Sequence, residues 1–327
     1  MSVLWLSFIR DNLLNFFSTD VTFGVHSITG SHIFVFSRNH FPHPPRLGNI
    51  AGVLSSLPSI LMKQMKRFSL LPLFALFSLF PGQLLLAQES VEVKARKLME
   101  ANKGALVVVT AKGVLQAKTN GDPLPDRDQQ RRTLGVTIGT DGLLVVSNSA
   151  IDAAVGLEGQ QAKMEEKVVT IQSAVTKFSD IEISYGDSTL VHGKVLRQDV
   201  EADVAFILPD PSESKALNKV FERVDLTQFA ATAEAADQVV GLSRSSAVYG
   251  YMPTLVMGRI TGVFKGDRTF FVTDAGTAQG IPVFTLDGKP VGVTVVRIIE
   301  GKPSGVLGTL SAGSIEVLAN LARESNK

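Results

Sequence analysis

The chain has 327 residues, 45% hydrophobic and 19% charged, enough apolar material for one large domain or two small ones. Its net charge of +1 gives no electrostatic basis for binding nucleic acid or an anionic membrane surface. It has no cysteine, which excludes disulfides, thiol chemistry and Cys-ligated metals and fits an exported protein.

The first 87 residues do not read as part of a fold. Met65-Lys66-Arg67 is a basic start, Phe68 to Phe80 an apolar run, and Leu85-Leu86-Ala87 a cleavage site before Gln88. This is the three-part layout of a secretory signal peptide, so residues 65–87 are expected to be removed and the mature chain exported to the periplasm or outside the cell. The apolar run is shorter than the about 20 residues a membrane span needs. Residues 1–64 precede that signal, which leaves two readings: an over-long gene start with the true start at Met62 or Met65, or a genuine extra segment. Four histidines fall there, His26, His32, His40 and His43, without zinc-ligand spacing. No metal or other cofactor is expected.

Val91 to Asn102 has apolar residues at helical spacing and ends at Lys103-Gly104. From Ala105 the period changes to that of strands. Ala105–Thr110 and Val114–Ala117 read as strands, and Asn120–Arg132 as an exposed, charged loop. Leu134–Ile138 and Leu143–Val146 flank the turn Thr140-Asp141-Gly142, a hairpin ending in Ser147-Asn148-Ser149. A solvated loop is expected over 152–167, then short strands at 168–171, 174–178, 181–184 and 190–196. The run R-Q-D-V-E-A-D-V-A-F-I-L brings Asp203 to the start of a buried strand. Pro209–Lys219 reads as a linker. Strand-like segments follow at 237–242, 254–263 and 269–272. Then comes T-D-A-G-T-A-Q-G-I-P-V-F-T-L-D-G-K-P-V-G-V, Thr273 to Val293, whose Asp287-Gly288 turn joins two apolar runs. After Gly305–Leu310, the residues Ser314–Arg323 form a closing helix with Ser314 as its cap and Ile315, Leu318, Ala319 and Ala322 on one face.

Several of these motifs, in order, resemble trypsin-like serine proteases of the HtrA/Deg type across about residues 91–323. The family's nucleophile turn, G-N-S-G-G-P, is matched by Thr277-Ala278-Gln279-Gly280-Ile281-Pro282. Its base-bearing hairpin, ending T-N-x-H-V, is matched by Gly135 and Asp141-Gly142, with Asn148 just before the His position and Ser149 at it. Its G-R-D-x-x-x-D-I-A-L-L motif is matched at Asp203. The resemblance implies an all-β fold of two six-stranded antiparallel barrels, chymotrypsin-like, with short N- and C-terminal helices. It places barrel one at about 104–210, barrel two at about 220–312, and no PDZ-like segment after them.

The same resemblance implies an absent chemistry. Gln279 stands at the nucleophile, Ser149 at the general base and Thr277 at the oxyanion glycine; Asp203 alone keeps its type. Serine cannot take a proton near neutral pH, and a β-branched residue resists backbone angles open to glycine. Ile281 is expected to fill the cleft. The expected function is a pseudoprotease, a binding or structural module of the cell envelope, with peptide or unfolded segments as partners held by edge addition in the cleft. The alternative is a hydrolase with a relocated site using His192 and a loop serine among Ser243, Ser245 and Ser246.

Overall fold

Apolar residues alternate along most segments of the chain and force them into strands whose inner faces close on themselves. The computed structural model describes residues 89–119, 122–164 and 167–325, all within one unit, Gly82–Lys327. The leader and signal-peptide expectations lie outside the described residues. Helix α1, Val91–Asn102, is capped by Ser90, whose side chain accepts from the Val93 amide. A first ring follows: β1 (Leu106–Lys118), β2 (Arg127–Thr137), β3 (Leu144–Ser147), β6 (Ser173–Ser184), β7 (Leu190–Asp199) and β8 (Val204–Pro209). Between β3 and β6 lie α2 (Asn148–Ile151) and a separate hairpin of β4 (Gln161–Met164) and β5 (Lys167–Thr170). After α3 (Pro211–Ala216) comes a second ring: β9 (Gln238–Arg244), β10 (Pro253–Lys265), β11 (Thr269–Thr273), β12 (Pro282–Thr285), β13 (Pro290–Ile299) and β14 (Lys302–Ser311). Helix α4, Ala312–Glu324, ends the described chain.

Both rings are closed, antiparallel and six-stranded. They also share one topology. Counting each ring's strands first to sixth along the chain, both run first-second-third-sixth-fifth-fourth and then close on the first. Closure removes the exposed sheet edges that would otherwise template aggregation.

Burial follows the strand period. In ring one, Val107, Val109, Leu144, Val146 and Ile207 point inward. In ring two the inner set includes Val239, Ile260, Phe271 and Val283. A third cluster lies between the rings: Val136, Val145 and Phe206 from one, Val240, Phe284 and Val295 from the other, with Leu98 of α1 and Ile315 of α4. The run Leu144–Ser147 is buried throughout because both of its faces are covered.

Several elements depart from the sequence reading. The charged loop expected over 120–132 is shorter, because β2 already begins at Arg127 and pairs with β1 from Leu115 back to Leu106. Its charged side chains point outward while its backbone pairs. Within the loop expected over 152–167, Gln161–Met164 is a strand paired with Lys167–Thr170, and β6 is one continuous strand. The expected linker holds α3, capped by Asp210 with Pro211 in its first turn. Ser311, not Ser314, caps α4: its side chain accepts from the Ser314 amide at 3.2 Å. Among the described residues no helix is long and apolar enough to cross a membrane.

Charged ties hold the rings together. Arg268, next to the β10–β11 turn, donates two hydrogen bonds to Asp199 of ring one, at 3.0 and 2.8 Å. Arg244 ends β9 and donates to three carbonyls, Lys103, Leu106 and Tyr251. Arg323 of α4 reaches Asp141. Only 12% of the Asp199 side chain is exposed. Arg268→Ala is therefore expected to destabilise the chain by about 2 kcal/mol, since it leaves a mostly buried carboxylate without its cation. Lys97→Ala, which removes a solvent-exposed pair, should cost under about 0.5 kcal/mol. Urea unfolding of both variants measures the contrast.

Candidate functional site

The site lies where the first turn of α2, the start of β8 and the β11–β12 loop meet. Asp203 precedes β8 in the left-handed backbone region, φ 54°, and is fully buried. Asp tolerates this conformation better than most non-glycine residues. Its carboxylate accepts three hydrogen bonds: the Ser147 hydroxyl at 2.6 Å, the Ser149 amide at 2.6 Å, and the Val296 amide at 2.8 Å. Two donors come from ring one and the third from β13 of ring two, so the carboxylate joins the rings. Its carbonyl in turn accepts from the Asn148 amide, fixing the start of α2.

Burial pushes the Asp203 carboxyl above its usual range, opposed by the bonds from Ser147, Ser149 and Val296. Ser149, half-buried, accepts from the Gln279 side-chain amide at 3.2 Å. Its hydroxyl also lies 3.4 Å from that of Ser147. Arg131 of β2 donates to the Ser149 carbonyl. The structure thus brings Ser149, Asp203 and Gln279 into one hydrogen-bonded chain running from ring one to the β11–β12 loop.

Gly280 positions Gln279. Its φ is 79°, and a Cβ there would collide with the Leu134 carbonyl of β2. Gly280 also donates to the Thr294 carbonyl at 2.7 Å. Thr277 lies exposed nearby, without positive φ, and its amide donates to the Ala275 carbonyl at 3.2 Å. That amide is thus engaged within the chain. Ile281 is 1% exposed, and the crevice it lines with Leu106, Leu134 and Leu242 has no room for a water molecule. A roomier groove, about 170 Å³, lies elsewhere, between α4 and the turn after β2.

The groups at this site are a serine hydroxyl, an amide and a carboxylate already holding three donors. None is a base able to deprotonate Ser149 at neutral pH, since the amide does not titrate and the carboxylate reaches the Ser149 backbone, not a substrate. His192, the one histidine among the described residues, lies on β7 with an exposed side chain. Its ring meets carboxylates: Glu213 at 3.0 Å and Asp180 at 3.8 Å. The structure does not join it to a serine. The hydroxyls of Ser243 and Ser245 donate to backbone carbonyls.

Asp180, Glu182 and His192 place ligand-type atoms within 4.8 Å of one another. The Lys112 ammonium already bridges both carboxylates, and Glu213 holds the imidazole, so the cluster is a cross-strand ion-pair network on the outside of ring one.

Sequence reasoning missed Ser147 as the partner of Asp203 and Arg244 as a clamp. A signal for Ser147 was present: it is a polar residue at the end of a wholly apolar strand, where burial demands a partner.

Asp203→Ala is expected to cost about 3–5 kcal/mol, because it orphans two buried amides and a hydroxyl. The raised carboxyl also sets a pH dependence. The folded chain holds this proton to higher pH than the unfolded chain, so the stability it contributes is full below the unfolded value of about 4 and lost as pH rises through the folded value. Wild type should therefore gain stability relative to Asp203→Asn as pH falls from 6 to 4. A flat difference between their denaturation midpoints would contradict the assignment. Comparison with known proteins adds no family: no family model matches the chain, and no curated protein does.

Proposed function

We propose that this chain is a catalytically inert relative of trypsin-like peptidases of the HtrA/Deg type, exported to the cell envelope as a binding or structural module. The observation that carries this reading is the bond chain Gln279–Ser149–Asp203 at the junction of two rings that share one strand order. The three positions given by the motif match meet in space, with a serine and a glutamine at the two that need a base and a nucleophile. The Thr277 amide bound to Ala275 and the buried Ile281 support inertness further, since an oxyanion donor must be free and a substrate must find room. Removal of one such donor costs on the order of 100- to 1,000-fold in rate, and loss of base and nucleophile far more. Partners in this reading are extended peptide or unfolded segments.

The purified chain from Gln88 onward is expected neither to cleave casein nor to react with a fluorophosphonate probe. Robust turnover or labelling would overturn the reading. The triple variant Ser149→His, Gln279→Ser, Thr277→Gly should gain fluorophosphonate labelling, because Asp203 stands beside the reintroduced base. Export is checked separately: after expression with residues 65–87 attached, mass spectrometry should find an N-terminus at Gln88.

A further inference from the structure

One pair of strands lies outside both rings. Every ring strand has a neighbour on each side, whereas β4 and β5 have only each other. The pair is rooted in ring one. Ile171, just after β5, is buried and its amide donates to the Gln160 carbonyl at 2.9 Å. The Gln172 amide donates to the Lys118 carbonyl of β1 at 2.8 Å. The Ile171–Gln160 bond also fixes the alternation along β5. Val169, opposite Ala162, turns its amide and carbonyl toward β4, so Val168 and Thr170 turn theirs away. Among the described residues no hydrogen bond reaches those outward groups.

A row of free main-chain donors and acceptors matches one kind of ligand, another extended backbone. Ring strands that overrun a neighbour, as β2 does over 127–134, are still held on both sides elsewhere. β4 and β5 alone among the described strands are paired on one side throughout. Their two outer edges differ. β4 carries Lys163, the type of residue that guards an edge against addition. Val168-Val169-Thr170 of β5 has three β-branched residues and no charge, and Val168 is 63% exposed.

We propose that the outer edge of β5, at Val168–Thr170, is where an extended peptide adds to this chain, as the third strand of the β4–β5 sheet. The inference rests on the peptide-binding reading above. It places the peptide outside the junction of the rings, whose crevice has no room for a water molecule. A lone pair of strands is marginally stable, so added peptide and hairpin stabilise each other. Main-chain bonds recognise extension rather than sequence, which suits unfolded segments. A second copy pairing β5 to β5 is too small a contact: a stable interface buries about 1,200 Å² or more, and two four-residue strands supply a fraction of it.

Two proline variants test the edge. Val168→Pro removes an outward amide hydrogen and none of the bonds to β4. Gln161→Pro does the same on the outer edge of β4. The probe is a fluorescein-labelled casein digest followed by anisotropy, with amide exchange of the parent read residue by residue by NMR. Val168→Pro should bind the digest about tenfold more weakly than the parent, and Gln161→Pro as the parent does. In the parent, digest should slow exchange at the Val168 and Thr170 amides, a readout that stands even if a variant fails to fold. Binding that Val168→Pro leaves unchanged, or that Gln161→Pro weakens equally, overturns the β5 edge and leaves the peptide reading standing. So does binding with unaltered exchange at Val168 and Thr170. A parent that sediments as a dimer, with Val168→Pro a monomer, gives the edge to a second copy and overturns the proposal. No binding by the parent at all overturns the peptide reading, and the edge with it.

Discussion

The Asp203 carboxylate is the constraint on which the rest of the molecule depends. It is buried, it sits on a left-handed residue, and all three of its donors are fixed by other elements. A buried charge without partners costs several kcal/mol, so the chain must deliver Ser147, Ser149 and Val296 together or not fold. That requirement sets the end of β3, the start of α2 and the position of β13 with one group. It also explains why an aspartate is buried at this junction. Its work here is to satisfy amides of two rings, and no apolar residue of similar size can accept their hydrogen bonds.

From that point the second ring is drawn close. With Val296 held by Asp203, the neighbouring Thr294 carbonyl receives the Gly280 amide, and Gly280 comes against Leu134 of ring one. Only a residue without Cβ allows that approach. Gln279 is thereby carried to Ser149, and Ile281 is carried into the junction. The outer ties, Arg268–Asp199 and Arg323–Asp141, then lock the rings away from the site. Arg244 differs from them. Half-buried and bound only to carbonyls, it has a pKa held below its usual value by burial, partly offset by Asp187. Carbonyls in three segments orient the guanidinium without a carboxylate, as its fixed fork of donors permits.

Much of the fold was legible because the strand period and turn chemistry agree. Asp141-Gly142 and Asp287-Gly288 mark true turns, and Val91–Asn102 is a helix over the expected residues. The failures have physical causes. D-R-D-Q-Q-R-R at 126–132 reads as a loop by composition, yet a strand needs only its backbone paired, and β1 supplies that partner. The linker reading of 209–219 overlooked a cap followed by proline, Asp210-Pro211, which is a helix start. At the site, the meeting of Ser149, Asp203 and Gln279 could be inferred only by matching motifs, since they lie 54 and 76 residues apart along the chain. The turn that engages the Thr277 amide, and the place of Ser147 under Asp203, depend on backbone paths that no short pattern encodes.

The residues at the junction also make sense as a set. A working hydrolytic site holds groups in reserve: a base awaiting a proton, amides awaiting an oxyanion, a cavity awaiting a substrate. Each reserve is an unsatisfied group or an unfilled space, and each lowers stability. Here the reserves are closed. The Gln279 amide finds the Ser149 hydroxyl, the Thr277 amide finds the Ala275 carbonyl, and Ile281 is buried where the crevice lacks room for water. Shortening any one of these side chains would free one group or space and leave the others closed, so the junction holds by several independent contacts. The arrangement is internally consistent in the way packed cores are: local choices agree with one another and with the closed junction they line. A junction built this way is closed on both sides by groups that already have their partners.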